Sequence, residues 1–202
     1  MECQIQKHIE KESDLCGQAE KFKRPVITFI DTKGAYPGIE AEERGQGEAI
    51  ARSMLELSKL KVPVIAIIIG EGSSGGALAL GLGNKVFMLE NAIYSILSPE
   101  GYASILWKDS SRTKEAAEKM KLTAKDLYEL KVIDKIIKEP EGSEEESFLK
   151  IAKNLRKEIK NTIEKMKNMS PDEIAENRYH KFRNMGEYKV TSENKTKKEK
   201  EK

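Results

Sequence analysis

The stretch that decides the fold is Val64-Ile-Ala-Ile-Ile-Ile-Gly-Glu-Gly-Ser-Ser-Gly-Gly-Ala-Leu-Ala-Leu80. Its first six residues, 64–69, are all apolar, which is typical of a parallel strand buried on both faces, because a half-exposed strand would alternate with polar residues. Glycines and serines follow over residues 70–76 and predict a turn that ends the strand. The small apolar residues from Ala77 onward predict a tightly packed helix.

The residues before this stretch predict another strand and a long helix. Residues 25–30 form a short β-branched and aromatic run, and the turn-rich segment 31–38 ends it. A helix is predicted from about residue 42 to residue 60, because its apolar residues are spaced to share one face. Those residues are Ile50, Met54 and Leu57.

The residues after it predict two more short strands, 86–89 and 93–97, followed by Ser98–Gly101. Alternation of strands and helices indicates an α/β layer with right-handed crossovers. A helix is predicted from about Ser143, with one apolar stripe that is either core or a subunit contact. The stripe is Phe148, Ile151, Leu155, Ile159, Ile163 and Met166. Ser170–Glu173 is a capping box that begins another helix.

These patterns divide the chain into four predicted parts. Residues 1–18 are a divergent leader, and residues 19–140 are the α/β core. Residues 141–190 are a C-terminal helical segment. Residues 191–202 alternate lysine and glutamate without an apolar anchor, which predicts a disordered charged tail.

Composition excludes several classes of partner. The 202 residues carry 36 basic and 34 acidic side chains, so no strong field favours nucleic acid or an anionic membrane surface. The longest apolar run, 62–69, is far too short to cross a bilayer, and the N-terminus lacks a secretion signal, so we expect a cytoplasmic protein. Cys3 and Cys16 form no CxxC pair, and we expect neither a disulfide nor a metal site.

The glycine turn has three chemical interpretations, since N–H groups at a helix N-terminus bind negative charge. The first is a dinucleotide fingerprint. Gly70-x-Gly72-x-x-Gly75 follows a strand and opens a helix, and Glu90 stands about 20 residues later, where a ribose ligand would be. Against it, the turn is not in the first strand–helix–strand unit, and Ser98–Gly101 has no part in such a site.

The second interpretation is a nucleophile elbow, G-x-S-x-G, with Ser74 as the nucleophile. Such an enzyme needs a histidine base, and the downstream candidate His180 lies in a polar terminal helix, where a surface or interface role is more typical. A phosphate-binding P-loop is excluded, because Gly76 and Ala77 occupy the places of its lysine and its serine or threonine.

The third interpretation is an oxyanion hole made by the backbone amides of Gly75 and Gly76. Paired glycines suit this role, because the missing Cβ lets a substrate approach the backbone and lets the N–H vectors converge. The structural alternative for the same glycines is tight packing of the helix against a strand.

Several segments together resemble the alpha subunit of bacterial acetyl-CoA carboxylase carboxyltransferase, over about residues 19–188. Each segment alone is undistinctive, but their order and spacing are specific. The matching segments are Ala19–Phe22, Pro25–Thr32, Gly34–Gly38, Ala41–Gln46, Gly70–Gly72, Ser74–Ala79, Ser98–Gly101, Ala103–Lys108 and Leu130–Pro140.

The resemblance implies an α/β fold of the ClpP/crotonase-like class with C-terminal helices. It implies transfer of a carboxyl group from carboxybiotin to acetyl-CoA, which yields malonyl-CoA for fatty-acid synthesis. The catalytic groups would be the amides of Gly75 and Gly76, as the biotin-side oxyanion hole. The residues expected to form the biotin pocket are Gly34, Ala35, Tyr36, Pro37, Gly38, Gly72, Ser73, Ser74, Ser98, Pro99, Glu100 and Gly101.

The resemblance also implies partners. Biotin would be attached to a separate biotin carboxyl carrier protein and not to this chain, and biotin carboxylase would supply its carboxyl group. A zinc-containing beta subunit would provide the acetyl-CoA side, in an α2β2 hetero-oligomer. The absence of CxxC pairs fits alpha and excludes beta.

The sequence departs from the family pattern in places. The family's N-terminal helical region and first strands have no counterpart, so we expect an exposed sheet edge and uncovered apolar surface. Lys33 replaces a proline, Ser73 replaces a glycine, and residues 140–145 replace a stretch that contains histidine. Two alternative interpretations therefore remain: a catalytically inactive fragment of that subunit, and a dinucleotide-binding oxidoreductase.

Overall fold

The computed structural model describes residues 14–142 and 144–186, which form a five-stranded sheet with surrounding helices. The strands are β1 (Val26–Thr32), β2 (Val64–Ser73), β3 (Lys85–Leu89), β4 (Ile93–Ser95) and β5 (Lys135–Ile137). The helices are α1 (residues 14–21), α2 (Ile39–Glu43), α3 (Gln46–Lys59), α4 (Ser74–Gly81), α5 (Pro99–Tyr102), α6 (Thr113–Met120), α7 (Ala124–Glu129), α8 (Glu144–Met166) and α9 (Pro171–Arg183). A π-helical segment, Ala103–Trp107, and a 3-10 turn, Ser110–Arg112, lie between α5 and α6.

The sheet has the order β1-β2-β3-β5, and its strand pairs are parallel. The short β4 pairs in parallel with the last residues of β2, beyond the point where β3 ends. The side chains of residues 64–68 in β2 are completely buried. The sequence predicted this central strand correctly, because a strand that is covered on both faces has apolar residues at successive positions.

The predicted end of β2 was wrong, because the strand continues through Gly70 and Gly72 to Ser73. Gly72 is paired with Thr32 of β1 on one side and with Tyr94 of β4 on the other. Neighbouring strands thus hold the glycine residues extended. Helix α4 consequently begins at Ser74, three residues before the predicted start.

The helix predicted over residues 42–60 is interrupted and forms α2 and α3. Gly45 separates them in the left-handed conformation, with φ of 73°. Glycine adopts this backbone without steric cost, so the chain can turn between two helices here. Of the predicted apolar face, Leu57 is buried, whereas Ile50 and Met54 are partly buried.

The core consists of two apolar clusters, and both include residues of β2. The larger contains residues of β2, β3 and β5 together with α7 and α8. The smaller contains Cys16 of α1 and Leu57, Leu60, Val62 and Val64. The α8 stripe is largely core, since Leu155 and Met166 are buried, but its first member, Phe148, is 67% exposed.

Strand β1 forms one edge of the sheet in the described part of the chain, as predicted. Ile27 and Phe29 lie two residues apart on the same face of this strand, and they are 37% and 54% exposed. Together with α8 they line an apolar groove of about 870 Å³. This edge therefore leaves apolar side chains exposed to solvent in the described part of the chain.

Helix α9 is attached to the rest of the fold by a buried arginine, Arg178. Its guanidinium donates to the carbonyl oxygens of Leu57, Leu60 and Val62, each at 2.8 Å, and to the Asn84 side-chain oxygen at 2.7 Å. Burial lowers the pKa of Arg178 to about 10, so it is charged at neutral pH. These contacts join the C-terminal end of α3 to α9.

Some of the predictions for the two ends of the chain concern described residues, and others concern residues outside them. The capping box that begins α9 is confirmed, with both hydrogen bonds present between Ser170 and Glu173. The described part of the predicted leader, residues 14–18, belongs to α1. Residues 1–13, Ser143 and the predicted tail over 191–202 lie outside the described residues.

Candidate functional site

The junction between β2 and α4 is a sharp elbow. Ser73 is extended, with φ of −118°, and Ser74 adopts the left-handed conformation, with φ of 54°. A left-handed backbone costs a residue with a Cβ about 1–2 kcal/mol. The Ser73 side chain, which stands where the family has glycine, therefore adds no backbone strain, and the strain lies at Ser74.

The first turn of α4 presents free backbone donors. The first N–H groups of an α-helix have no partner within the helix, and here these belong to Ser74, Gly75 and Gly76. The N-cap residue Ser73 makes no side-chain capping bond in the described structure. The positive end of the helix dipole adds to the field at these amides. The turn can therefore accept an anion or an oxygen that develops negative charge.

The loop after β1 lies directly against this turn. A Cβ built on Gly34, whose φ is 109°, would be 2.9 Å from the Ser74 Cβ. A Cβ on Gly76 would be 3.2 Å from the Gly34 carbonyl carbon and 3.1 Å from Thr32 Oγ1. Gly76 thus serves close packing of backbone on backbone, which is the structural alternative given above, while its amide stays in the first turn.

Gly75 has a different environment from Gly76. A Cβ on Gly75 would be 3.2 Å from the Ile50 Cδ1 of α3 and 3.9 Å from the Ala35 Cβ. These neighbours are side-chain atoms, which can move more easily than backbone. The structure therefore brings the predicted residues Gly34, Ala35, Ser74, Gly75 and Gly76 together.

The rest of the loop is held from α3. Gln46 Nε2 donates to the Tyr36 carbonyl oxygen at 2.9 Å, and the Gly38 N–H donates to the same oxygen at 3.0 Å. The Tyr36 ring is 67% exposed and covers Gly38, where a Cβ would be 2.2 Å from Tyr36 Cε1. Pro37 lies between them. Gln46 was part of a matching segment but was not predicted as a site residue.

Ser98–Gly101 has a local role as a helix start. Ser98 is the N-cap of α5, and its hydroxyl accepts the Gly101 N–H at 3.1 Å, with Pro99 in the first turn and Glu100 beside it. The main contacts of α5 are with α6 and the π-helical segment. The position of these four residues in the biotin pocket stays a prediction.

An apolar cavity of about 340 Å³ opens beside Ser74 and was not predicted. Tyr94 of β4 lies along α4 inside it: its Cδ2 is 3.1 Å from a Cβ on Gly72, and its hydroxyl is 3.2 Å from a Cβ on Gly81. Two glycines thus make room for one ring, and burial raises the pKa of the Tyr94 hydroxyl. The cavity is lined by Ser74, Leu78, Gly81, Val86, Tyr94, Ser95, Ile96, Met120, Leu127, Val132, Phe182 and Met185. The available signal was a pair of glycines, Gly72 near the end of β2 and Gly81 at the end of α4.

The two alternative chemistries meet obstacles in the structure. Glu90, the proposed ribose ligand, is engaged by the Lys138 ammonium group and by the Glu139 N–H at 3.3 Å. These interactions, with Lys138 the larger, lower the pKa of Glu90. Ser74 has the backbone of a nucleophile elbow, but the side chain of His180 is 64% exposed and lies 3.4 Å from Glu176 on α9. Neither arrangement supplies the second group that its chemistry needs.

Residues 14–142 and 144–186 contain neither a metal-binding cluster nor a helix that could span a membrane. They contain no group of three or more histidine, cysteine, aspartate or glutamate side chains arranged to hold a metal ion. None of the helices in this part of the chain is both long and apolar enough to span a bilayer.

Comparisons with known proteins agree with the predicted family. Residues 8–186 match the family model described as acetyl co-enzyme A carboxylase carboxyltransferase-like. The chain is 54% identical over 180 residues to the acetyl-coenzyme A carboxylase carboxyl transferase subunit alpha of Clostridium acetobutylicum, covering 89% of this chain and 66% of the relative. It is 60% identical over 171 residues to the corresponding subunit of Clostridium perfringens, covering 85% and 63%. The chain thus spans slightly less than two thirds of these curated relatives.

Solved structures identify the fold. A Pseudomonas malonate decarboxylase hetero-tetramer in complex with coenzyme A superposes with a TM-score of 0.67 at 13% identity, covering 98% of this chain and 73% of that one. Transcarboxylase 12S superposes with a TM-score of 0.62 at 16% identity, covering 91% and 32%. These likenesses confirm the predicted crotonase-like α/β fold. Fold and family model agree, and the chain belongs to the acetyl co-enzyme A carboxylase carboxyltransferase-like family.

Proposed function

We propose that this chain forms the biotin-facing half of a carboxyltransferase site, which transfers a carboxyl group from carboxybiotin to acetyl-CoA and yields malonyl-CoA. The observation that carries the proposal is the first turn of α4, whose Gly75 and Gly76 amides have neither a helical partner nor a side-chain cap in the described structure. Membership of the carboxyltransferase-like family supports carboxyl transfer as the reaction at this turn.

The amides are suited to stabilise negative charge on an oxygen. Carboxybiotin, as the substrate, supplies the carboxyl group, and its ureido oxygen gains negative charge when that group leaves. The N–H groups of Gly75 and Gly76 are fixed before the charge develops, so their dipoles need no reorganisation. The helix dipole of α4 acts in the same direction. The biotin nitrogen that loses the carboxyl group can take the proton that leaves the acetyl-CoA methyl group, so the reaction needs no histidine base on this chain.

The surrounding residues hold the amides and shape the pocket. Gly34 fixes the distance between loop and turn, and Ile50 fills the space beside Gly75. The cavity beside Ser74, at about 340 Å³, has the size of a small-molecule site and would receive the apolar part of the biotin group. Tyr94 would form its wall along α4.

The remaining components of the reaction would come from other chains. A biotin carboxyl carrier protein, loaded by biotin carboxylase, would bring the biotin group. A zinc-containing second subunit would bind acetyl-CoA, in an α2β2 assembly.

The test is reconstitution with a matching beta subunit. The chain is co-expressed with a beta subunit of the same family, the complex is purified, and malonyl-CoA is measured after addition of acetyl-CoA and carboxylated carrier. We expect malonyl-CoA only when both subunits are present. A folded, assembled complex that forms none would contradict the proposal and favour the inactive-fragment interpretation. Calorimetric binding of NAD at micromolar strength would favour the dinucleotide interpretation.

A further inference from the structure

Gln46 is a buried polar residue whose hydrogen bonding is incomplete. It is the first residue of α3 and is 3% exposed. Its Nε2 donates to the Tyr36 carbonyl, but its Oε1 is buried without a hydrogen-bond partner among the described residues. A buried oxygen without a partner destabilises a fold. Stability therefore does not explain a glutamine at this position.

The Tyr36 carbonyl does not need Gln46 either. It already accepts the Gly38 N–H at 3.0 Å, so loss of the Gln46 donor would leave no carbonyl unpaired. Methionine has a similar length and flexibility and would also remove the unpaired oxygen. What glutamine adds is a link between α3 and the loop of residues 34–38.

Two further contacts lie on the same face of α3. Ile50 reaches the space beside Gly75, and the Ser53 hydroxyl donates to the Ala79 carbonyl at 2.6 Å. Residues four and seven positions after Gln46 share its face, because a helix repeats every 3.6 residues. One face of α3 thus contacts the loop, the first turn of α4 and the body of α4.

We propose that Gln46 is a positioning residue, which holds residues 34–38 against the first turn of α4 and so maintains the geometry in front of the Gly75 and Gly76 amides. This inference rests on the proposed function of those amides. Gly34 lies within 3.2 Å of a Cβ built on Gly76, so a loop that moves away changes the space that the substrate oxygen would occupy.

The experiment compares Gln46→Met and Gln46→Glu with Glu48→Gln, a substitution of an exposed residue on the same helix. Thermal unfolding and hydrogen exchange over residues 33–38 are measured on the free chain, and kcat is measured on the reconstituted complex. For Gln46→Met we expect an equal or higher melting temperature, roughly tenfold faster exchange in the loop, and roughly tenfold lower kcat with unchanged KM for acetyl-CoA.

Gln46→Glu separates the donor from the acceptor. The carboxylate keeps the oxygen and loses the donor, so the loop should exchange faster at neutral pH and recover protection in acid, where the protonated side chain can donate. Unchanged loop exchange in Gln46→Met would overturn the proposal, as would a lower melting temperature with faster exchange throughout α3. An inactive wild-type complex would instead refute the proposed function, and exchange would still decide whether Gln46 holds the loop.

Discussion

The two ends of α3 are built in different ways. At its C-terminal end, the Leu57 and Leu60 carbonyls and the Val62 carbonyl beyond them accept hydrogen bonds from Arg178, whose Nε alone lacks a partner in the described structure. At its N-terminal end, the Gln46 side chain contacts the 34–38 loop and leaves a buried oxygen unpaired. Beyond this end lies Ser74, in a strained backbone conformation.

This difference separates stability from function along one helix. Buried carbonyls that find a charged donor hold α9 against the core, and helix C-termini favour positive charge. Strain and unpaired polar groups concentrate at sites that bind or react, because the surrounding structure must hold them in place. The C-terminal end should therefore control unfolding, and the N-terminal end should control activity.

The largest effect is expected from Arg178→Met. The substitution removes a donor from four backbone carbonyls, those of Leu57, Ser58, Leu60 and Val62. It also removes one of the two donors to the Asn84 side-chain oxygen, which keeps its hydrogen bond from the Val64 N–H. We expect a loss of about 3–5 kcal/mol in the free energy of unfolding, measured by urea denaturation. Arg178→Lys should lose less of the free energy of unfolding than Arg178→Met, since lysine keeps the charge but not the planar guanidinium group.

Arg183→Met is the control for this substitution, because Arg183 is exposed on the same helix. Its unfolding free energy should change by less than about 0.5 kcal/mol. Equal urea midpoints for Arg178→Met and the wild type would show that the contacts at the C-terminal end of α3 do not control unfolding.

The next effect concerns the N-terminal end and appears in activity. In Gly76→Ala, the new methyl would press on Thr32 Oγ1 and the Gly34 backbone and displace the first turn. We expect about 100-fold lower malonyl-CoA formation in the reconstituted complex, roughly 3 kcal/mol. Gly75→Ala should be milder, because the methyl meets the flexible end of Ile50. Ser74→Ala should change the rate only slightly, since no hydroxyl chemistry is required.

These three variants also test the mechanism. If Ser74→Ala abolished activity while Gly76→Ala retained it, in complexes shown to be folded and assembled, nucleophilic catalysis would replace the oxyanion site.

A smaller effect is expected from release of strain at the elbow. Ser74→Gly should raise the free energy of unfolding by about 0.5–1 kcal/mol, because glycine adopts the left-handed conformation freely but loses more entropy on folding. Lys121→Gly is the matched control, since Lys121 ends α6 with the same φ of 54°. A stabilised Lys121→Gly beside a destabilised Ser74→Gly would mean that the serine side chain contributes more by packing than its backbone costs.

Features that depend on local sequence patterns were predicted, whereas features that depend on pairing with other elements were missed. The central strand β2 and the paired glycines of α4 were predicted, because burial on both faces and close backbone approach leave local patterns. The extension of β2 to Ser73 was missed, since it depends on pairing with β4, far along the chain. The interruption at Gly45 was missed because the predicted apolar face begins at Ile50, so its spacing carries no information about where the helix begins.

Residues that act across the fold left weaker signals. Arg178 lies in a polar stretch that resembles an ordinary exposed helix face, and only the positions of the α3 carbonyls explain its burial. Tyr94 was assigned to a strand, but its place along α4 depends on the register between β4 and β2. Gln46 stands in a matching segment whose chemistry cannot be read without the Tyr36 carbonyl nearby.

Glu90 follows β3 at the same edge of the sheet as the elbow, yet its carboxylate is paired, as the carbonyls around Arg178 are. The Lys138 ammonium group and the Glu139 N–H hold the pKa of this carboxyl below its ordinary value of 4.5. A carboxyl whose pKa is lower in the folded state stabilises the fold above the unfolded pKa and loses that contribution as the pH falls through the folded pKa.

Glu90→Gln should therefore lower the urea midpoint slightly at pH 7 and should not change it well below pH 4.5. The control Glu118→Gln, a substitution of an exposed residue on α6, should show no such dependence on pH. Midpoints are measured for wild type and both variants across this range, and a Glu90→Gln difference that stays constant with pH would mean that the carboxylate acts through packing and not through its charge. Because the Lys138 side chain is 76% exposed and the pair is screened by solvent, this effect should be the smallest of the series.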